Sequence, residues 1–317
     1  MGMRILGWGS ALPEKVVTNH DLEKTLDTSD EWIVERSGIR ERRIGDSTAA
    51  LAIGAGRAAI AAAGVDPSSV DLLVLATTTP DQQVPATSAH VHHELGLGGG
   101  GMDVNAACSG FVYALVMANG LLETGAERVL VVGAETLSRI TDWTDRNTAV
   151  LFGDGGGALL LEREAGEGQL LGWDLGLDAS AREILQADLG GYVEMDGREV
   201  FKRAVRVLVD SAKKTLAQAK VRAEDVKLLV PHQANVRIIQ AACDRLGIPE
   251  ERTAIVLHRT GNTSSASIPL ALVDSIEAGR LEDGDLVLMT GFGAGMTWGS
   301  ALIRWQTPTV ATPGATS

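Results

Sequence analysis

Residues 105–115 read Asn-Ala-Ala-Cys-Ser-Gly-Phe-Val-Tyr-Ala-Leu, and residues 262–272 read Asn-Thr-Ser-Ser-Ala-Ser-Ile-Pro-Leu-Ala-Leu, an offset of 157. Each starts on Asn, passes through small residues and ends in an apolar run with helical spacing. Two further pairs keep almost the same register. VDPSSVDLLV at 65–74 matches VRAEDVKLLV at 221–230, and the strand-like RVLVVG ending at Gly133 matches LVLMTG ending at Gly291. Ala-rich helical stretches (49–63 and 205–219) precede the first pair. Two copies at so long a period are too few for a solenoid and predict a duplicated α/β unit. The halves are expected at 1–165 and 166–317, split at the linker EAGEG (164–168). Apolar β-runs alternating with helices predict largely parallel sheets covered by helices. Two such halves stacked face to face give an α/β/α/β/α layered architecture.

Composition agrees with this and removes several functions. The 317 residues are 45% hydrophobic but only 4% aromatic, with 37 Gly, so the core is built from small and aliphatic side chains. A formal net charge of −13 disfavours nucleic acid and anionic membranes as partners. Two cysteines, Cys108 and Cys243, with no CxxC spacing argue against a disulfide framework or a zinc site and fit a reduced, cytoplasmic setting. No apolar run approaches the roughly 20 residues that span a bilayer, and the start has no secretory pattern. The tail 307–317, rich in Pro, Thr and Ala, is expected to be disordered.

Three residues carry the candidate chemistry. Cys108 sits just before a helix-like run, where aligned peptide dipoles favour the thiolate; a buried structural Cys, as Cys243 is in its helix-like surroundings, is the alternative. His232 directly follows an apolar strand ended by Pro231, at the mouth of the next helix. Asn262 opens the counterpart of the Cys108 loop, in which Cys108 corresponds to Ser265. A duplicated fold brings such strand ends to one central site, although the Asn could simply cap a helix. His90, His92 and His93 on a surface helix, and His20 and His258 in loops, offer no metal-ligand set.

From Ile5 to about Trp305 the chain resembles β-ketoacyl-acyl-carrier-protein synthase III, the initiating condensing enzyme of bacterial fatty acid synthesis and a thiolase-like fold. The resemblance rests on AACSGFxYAL around Cys108, VPHQANxRII around His232 and HRTGNTSSASIPLAL around Asn262. LDTSDEWIVERSGIRERR (26–43), TDRNTAVLFGDGGGA (144–158) and GFGAGMTWGSAL (291–302) extend it. It implies a Cys108–His232–Asn262 triad and an oxyanion hole from the backbone N–H groups of Cys108 and Ala294. Trp32 and Arg146 would face the adenine of coenzyme A, Arg36 its phosphates, and Gly197 and Asn235 the pantetheine. Substrates would be an acyl-CoA and a malonyl-acyl carrier protein, with no cofactor and with a homodimer as the assembly. Val84, Leu137, Leu151, Phe152 and Phe292 would line the acyl pocket, Val84 also resembling a position that reaches the partner's pocket. Lys202, Arg203, Arg206, Arg237 and Arg245 would form a local basic patch for the acidic carrier.

Three departures bear on the substrate. Ser109 stands where Ala is commoner, a feature shared with some secondary-metabolic relatives. Val84 is smaller than the Phe usual in enzymes restricted to short primers. The segment between Leu171 and Gly197 is shorter than in relatives of the family it resembles, which predicts a more open channel or an unusual substrate. A secondary-metabolic acyltransferase or condensing enzyme on the same fold is the alternative reading. Thiolase would need a second catalytic Cys near 291–295, where none stands.

Overall fold

The computed structural model describes residues 2–166 and 168–308, so residues 309–317 of the tail and Glu167 of the linker lie outside the described residues. Thr307, at the start of that tail, donates its N–H to Asp283 at 2.6 Å.

Nine principal strands form two sheets. The first contains β1 (Gly2–Ala11), β2 (Leu72–Ala76), β3 (Gly100–Val104), β4 (Arg128–Thr136) and β5 (Asp154–Glu164), in the order β1-β5-β4-β2-β3. The second contains β6 (Leu170–Leu177), β7 (Leu228–Pro231), β8 (Leu286–Gly293) and β9 (Thr297–Arg304), in the order β7-β8-β9-β6. The pairs β2/β7, β4/β8, β5/β9 and β1/β6 occupy equivalent places, and β3 has no counterpart among the described residues. Parallel pairing is confined to β2–β3, β2–β4 and β7–β8, and the pairs involving β5 or β9 are antiparallel. The sheets are therefore mixed rather than largely parallel. In the second sheet the cause is local: only residues 294–296 separate β8 from β9, too short a link for a parallel crossover.

Seven helices matter here: α1 (Asp30–Ser37), α2 (Thr48–Ala63), α3 (Thr87–Leu95), α4 (Gly110–Glu123), α5 (Gly197–Ala219), α6 (Val236–Leu246) and α7 (Ser267–Glu277). Strand alternation assigns the layers. Leu73, Leu75, Leu130, Val132 and Leu160 turn outward to α2 and α3. Val74, Val129, Val131, Leu159 and Leu161 turn inward to Phe111, Leu115, Ile268 and Leu272 of α4 and α7. Leu228, Val230, Val287 and Met289 close that central layer from the other side, while Leu229, Leu288 and Leu302 face α5 and α6. The result is the five-layer α/β/α/β/α fold. α5 begins eight residues before the stretch read as helical from sequence, because Asp196 caps it by accepting from the N–H groups of Arg198 and Glu199.

The duplication is most visible where α4 and α7 begin. A one-turn 3₁₀ segment precedes each helix (Ala107–Ser109 and Ser264–Ala266), and neither helix takes a side-chain cap. Ala107 at φ 49° and Ser264 at φ 48° hold the same position in the repeat. A non-glycine residue there costs about 1 kcal/mol, a strain typical of sites whose surroundings hold a backbone for function.

The two halves touch closely behind these loops. A Cβ added at Gly133 of β4 would lie 2.5 Å from the carbonyl oxygen of Ser265. Gly133→Ala is therefore expected to lower the unfolding free energy by about 1–3 kcal/mol, measured by chemical denaturation; an unchanged midpoint would contradict this packing.

Candidate active site

One cavity of about 1170 Å³ is lined by Cys108, His232 and Asn262 together, residues supplied by both halves of the chain. Cys108 occupies the 3₁₀ turn before α4, half-buried in the cavity wall. The end of β8 presses against it: a Cβ on Gly293 would fall 2.5 Å from the Cys108 nitrogen, so only glycine lets the two backbones approach. Ala294, the next residue, lines the cavity beside Cys108. Ser109 ties this corner together, its hydroxyl donating to the carbonyl oxygen of Ala106 at 2.7 Å and lying 2.9 Å from Thr297 Oγ1.

Burial pushes the Cys108 thiol up to about 12; a hydrogen bond with Ser264 opposes the rise and the Glu135 carboxylate adds to it. The aligned peptide dipoles of α4 favour a thiolate. Desolvation outweighs them here, and the resting thiol is protonated at neutral pH. Cys108 keeps some exposure to the cavity, so water entering the site moderates this push.

His232 follows β7, its N–H donating to the carbonyl oxygen of Thr290 at 2.8 Å as the strand pairing continues one residue further. The ring is buried, meets Phe292 edge-on at 5.4 Å between centroids, and lies with Nδ1 2.6 Å from Ser267 Oγ. Burial lowers its pKa to about 3, so the imidazole is neutral. Gln233 braces the loop: its Nε2 donates to the carbonyls of Pro231 and Ala254, and its Oε1 accepts from the N–H groups of Val256 and Leu257. Asn262 is held by backbone bonds to Leu151 and Gly153, and its Oδ1 accepts the Ser264 N–H at 2.9 Å. With Oδ1 engaged, the Nδ2 hydrogens are the donors this cavity-lining amide has left to offer.

Glu135, at the end of β4, is fully buried behind the two loops. Its Oε2 accepts from the hydroxyls of Thr77, Thr78 and Thr79 and from the N–H groups of Thr78 and Thr79, while Oε1 accepts from the Ser265 hydroxyl at 2.8 Å. Glu135, Gly293, Ser264 and Ser267 all went unmarked in the sequence reading. Glu135 lies outside every quoted motif; Gly293, Ser264 and Ser267 lie inside motifs, but their roles depend on contacts with distant segments.

Trp32 and Arg36 of α1 stand at the mouth of the cavity. The Arg146 guanidinium lies over the Trp32 ring at 4.7 Å and that of Arg36 at 5.9 Å. Gly197 and Asn235 also line the cavity. The Asn235 side chain is partly committed, however, accepting from the Arg237 N–H and donating to the Arg36 carbonyl at 2.8 Å. It caps α6 and pins α1 to it, which leaves one Nδ2 hydrogen for a ligand in the cavity.

Leu137, Leu151, Phe152 and Phe292 line the same cavity, but Val84 does not. Val84 stands 82% exposed in the loop before α3, so it does not close the pocket of its own chain. The 171–197 segment is ordered and supplies part of the cavity wall. Residues 179–184 form a 3₁₀ turn, and Leu185–Gln186 pairs with Glu194–Met195. Backbone bonds from Val193 to Ile140 and between Asp178 and Met296 anchor it, so Leu185, Val193 and Met195 form a cavity wall.

Lys202, Arg203, Arg206 and Arg245 surround a second, surface cavity of about 540 Å³ together with Glu199. Arg203 pairs with Asp178 and Glu199, and Lys202 with Glu199. Arg237 stands apart from that cavity, over the Phe201 ring at 5.9 Å. No cluster of three or more potential metal ligands occurs among the described residues, nor any helix long and apolar enough to cross a membrane.

Residues 102–179 match the family model described as 3-oxoacyl-[acyl-carrier-protein (ACP)] synthase III, and residues 216–305 match its C-terminal model. The chain is 47% identical over 310 residues to beta-ketoacyl-[acyl-carrier-protein] synthase III 1 of Bacillus anthracis, covering 96% of this chain and 99% of the relative. It is 48% identical over 310 residues to the synthase III of Listeria monocytogenes, with the same coverage. Among solved structures, the 3-oxoacyl-[acyl-carrier-protein] synthase III of Aquifex aeolicus VF5 superposes with a TM-score of 0.94 at 46% identity, covering 96% of this chain and 100% of that one. The priming beta-ketosynthase of the R1128 polyketide pathway gives 0.92 at 36% identity, covering 97% of each. A cavity shared by Cys, His and Asn at the junction of two equivalent halves, in a chain this close to such relatives, leads to one assignment: the chain belongs to the 3-oxoacyl-[acyl-carrier-protein] synthase III family of condensing acyltransferases.

Proposed function

We propose that the chain joins an acyl-CoA primer to malonyl-acyl carrier protein by decarboxylative condensation, the step that initiates fatty acid synthesis, with Cys108, His232 and Asn262 as its catalytic groups. The observation that carries this reading is the convergence of the three side chains, one from the 1–165 half and two from the 166–317 half, on one cavity that Trp32 and Arg36 also line, with Arg146 stacked on the Trp32 ring.

The Cys108 sulfur attacks the acyl-CoA carbonyl while the backbone N–H groups of Cys108 and Ala294 receive the developing oxyanion. The carbon–sulfur bond to coenzyme A breaks, and coenzyme A leaves with the thiol proton. Adenine would enter by lifting Arg146 from Trp32, with Arg36 near the phosphates and Gly197 and Asn235 along the pantetheine. Malonyl-carrier then occupies the vacated channel. Loss of carbon dioxide leaves an enolate, whose oxygen accepts from His232 and from Asn262 Nδ2; its carbon attacks the acyl thioester and expels Cys108. No bound cofactor is needed. Leu137, Leu151, Phe152 and Phe292 hold the primer, and Val84 contributes only across a homodimer. Lys202, Arg203, Arg206, Arg237 and Arg245 receive the acidic carrier. The setting is the cytoplasm.

Ser109 and the likeness to the R1128 priming synthase favour a second reading, secondary-metabolic condensation or acyl transfer on the same fold. Incubation with a panel of acyl-CoAs followed by malonyl-carrier, read by intact mass, separates the two. Acylation of the enzyme and then a β-ketoacyl-carrier product supports the proposal. Acylation without carbon dioxide release supports the acyltransferase, and no adduct from any acyl-CoA contradicts both.

His232→Ala and Asn262→Ala are each expected to slow malonyl decarboxylation by about 10²–10³ and to spare acyl transfer to Cys108; equal losses in both half-reactions would contradict the division of roles. Charge reversal at Arg206 or Arg245 is expected to raise KM for the carrier in a salt-dependent way without changing acylation by acyl-CoA. Because the thiol of the empty site is protonated at neutral pH, iodoacetamide should alkylate Cys108 about tenfold faster per pH unit from 7 to 9. A plateau near neutrality, read by peptide mass, would indicate a preformed thiolate.

A further inference from the structure

His232 can serve the reaction proposed above only if the nitrogen facing the cavity carries a proton, and the groups behind the ring decide whether it does. Nδ1 lies 2.6 Å from Ser267 Oγ, at the first residue of α7. The same oxygen accepts the Gln233 backbone N–H at 3.2 Å. A serine hydroxyl has one proton to give. Among the described residues no other acceptor takes the Ser267 proton, and both Ser267 and His232 are buried, where an unspent hydroxyl is costly. If Nδ1–H donated instead, Oγ would accept twice and its own proton would have no partner.

We infer that Ser267 is a positioning residue that fixes the His232 tautomer: its hydroxyl donates to Nδ1, so that Nε2 carries the proton and faces the cavity as a hydrogen-bond donor. Burial agrees with this by keeping the ring neutral. Phe292, edge-on to the ring, and Gln233, bonded to four backbone groups, hold the imidazole in place but do not choose its tautomer. Ser267 does, from 35 residues further along the chain. The arrangement has a consequence for the first half-reaction. An Nε2–H imidazole cannot accept the Cys108 proton, so acyl transfer proceeds without His232 as its base, and losing Ser267 should leave that step alone.

The consequence for catalysis rests on the proposed condensation, but the tautomer can be read without substrate. In the full chain labelled with ¹⁵N-histidine, the His232 signals, assigned by their loss in His232→Ala, should show a protonated Nε2 and an unprotonated Nδ1. Ser267→Ala should populate the other tautomer and slow condensation by about tenfold to a hundredfold, less than outright loss of an oxyanion donor, with acylation of Cys108 unchanged. Ser267→Thr, which keeps the hydroxyl, should restore both the spectrum and the rate. A protonated Nδ1 in the unmodified chain overturns the inference, whatever the variants do. So does a Ser267→Ala chain with unchanged tautomer and rate. If Nε2 is protonated but no acyl-CoA is condensed, the tautomer assignment stands and the reaction assigned to the site fails.

Discussion

The buried carboxylate of Glu135 fixes the frame of the site. One oxygen gathers the backbone and hydroxyls of Thr77–Thr79 in the first half, and the other holds the Ser265 hydroxyl in the second. A carboxylate out of water is tolerated only when its lone pairs are filled, and here the donors come from both halves. Because its donors come from both segments, the Thr77–Thr79 turn and the loop that carries Asn262 and Ser265 cannot drift apart without stripping that carboxylate of partners. Gly133 and Gly293 let backbones meet on either side of the same frame, against Ser265 and Cys108 respectively.

Within that frame, duplication yields two loops of one shape and opposite use. Ala107 and Ser264 share a left-handed backbone, and the residues after them are Cys108 and Ser265. Cys108 looks into the cavity, while Ser265 turns away to Glu135 and the Ala76 carbonyl. The second loop gives up a nucleophile and supplies the anchor, together with Asn262 just before it and Ser267 just after. Neither helix takes a side-chain cap, and in each the preceding 3₁₀ turn leads directly into it.

Much of this was legible in the chain. The repeat of 105–115 at 262–272 and the matching strands at 65–74 and 221–230 located equivalent elements correctly, because strand and helix spacing survive divergence in residue type. The motifs around Cys108, His232 and Asn262 pointed to one family, and all three residues line one cavity. What stayed hidden depended on contacts between distant segments. The mixed pairing of the sheets follows from a three-residue link that the apolar run through 286–304 does not display. Desolvation of the Cys108 thiol comes from its enclosure, and a sequence shows only the dipole that opposes it. Asn235 carried a motif position and lines the cavity, but its links to α1 and α6 were not visible in the sequence, and Val84 stands outside the pocket of its own chain. Nothing in the sequence distinguishes Ser267, whose hydroxyl meets the His232 ring only once the two segments are folded together.

The most direct test is a crystal structure of the chain after brief exposure to an acyl-CoA. Density should run continuously from Cys108 Sγ into an acyl chain lying against Leu137, Leu151, Phe152 and Phe292. The thioester oxygen should lie within hydrogen-bond reach of the Cys108 and Ala294 N–H groups, with His232 and Asn262 free on the opposite side. An acyl group on any other residue, or a thioester oxygen turned toward His232 and Asn262 instead, would contradict the account.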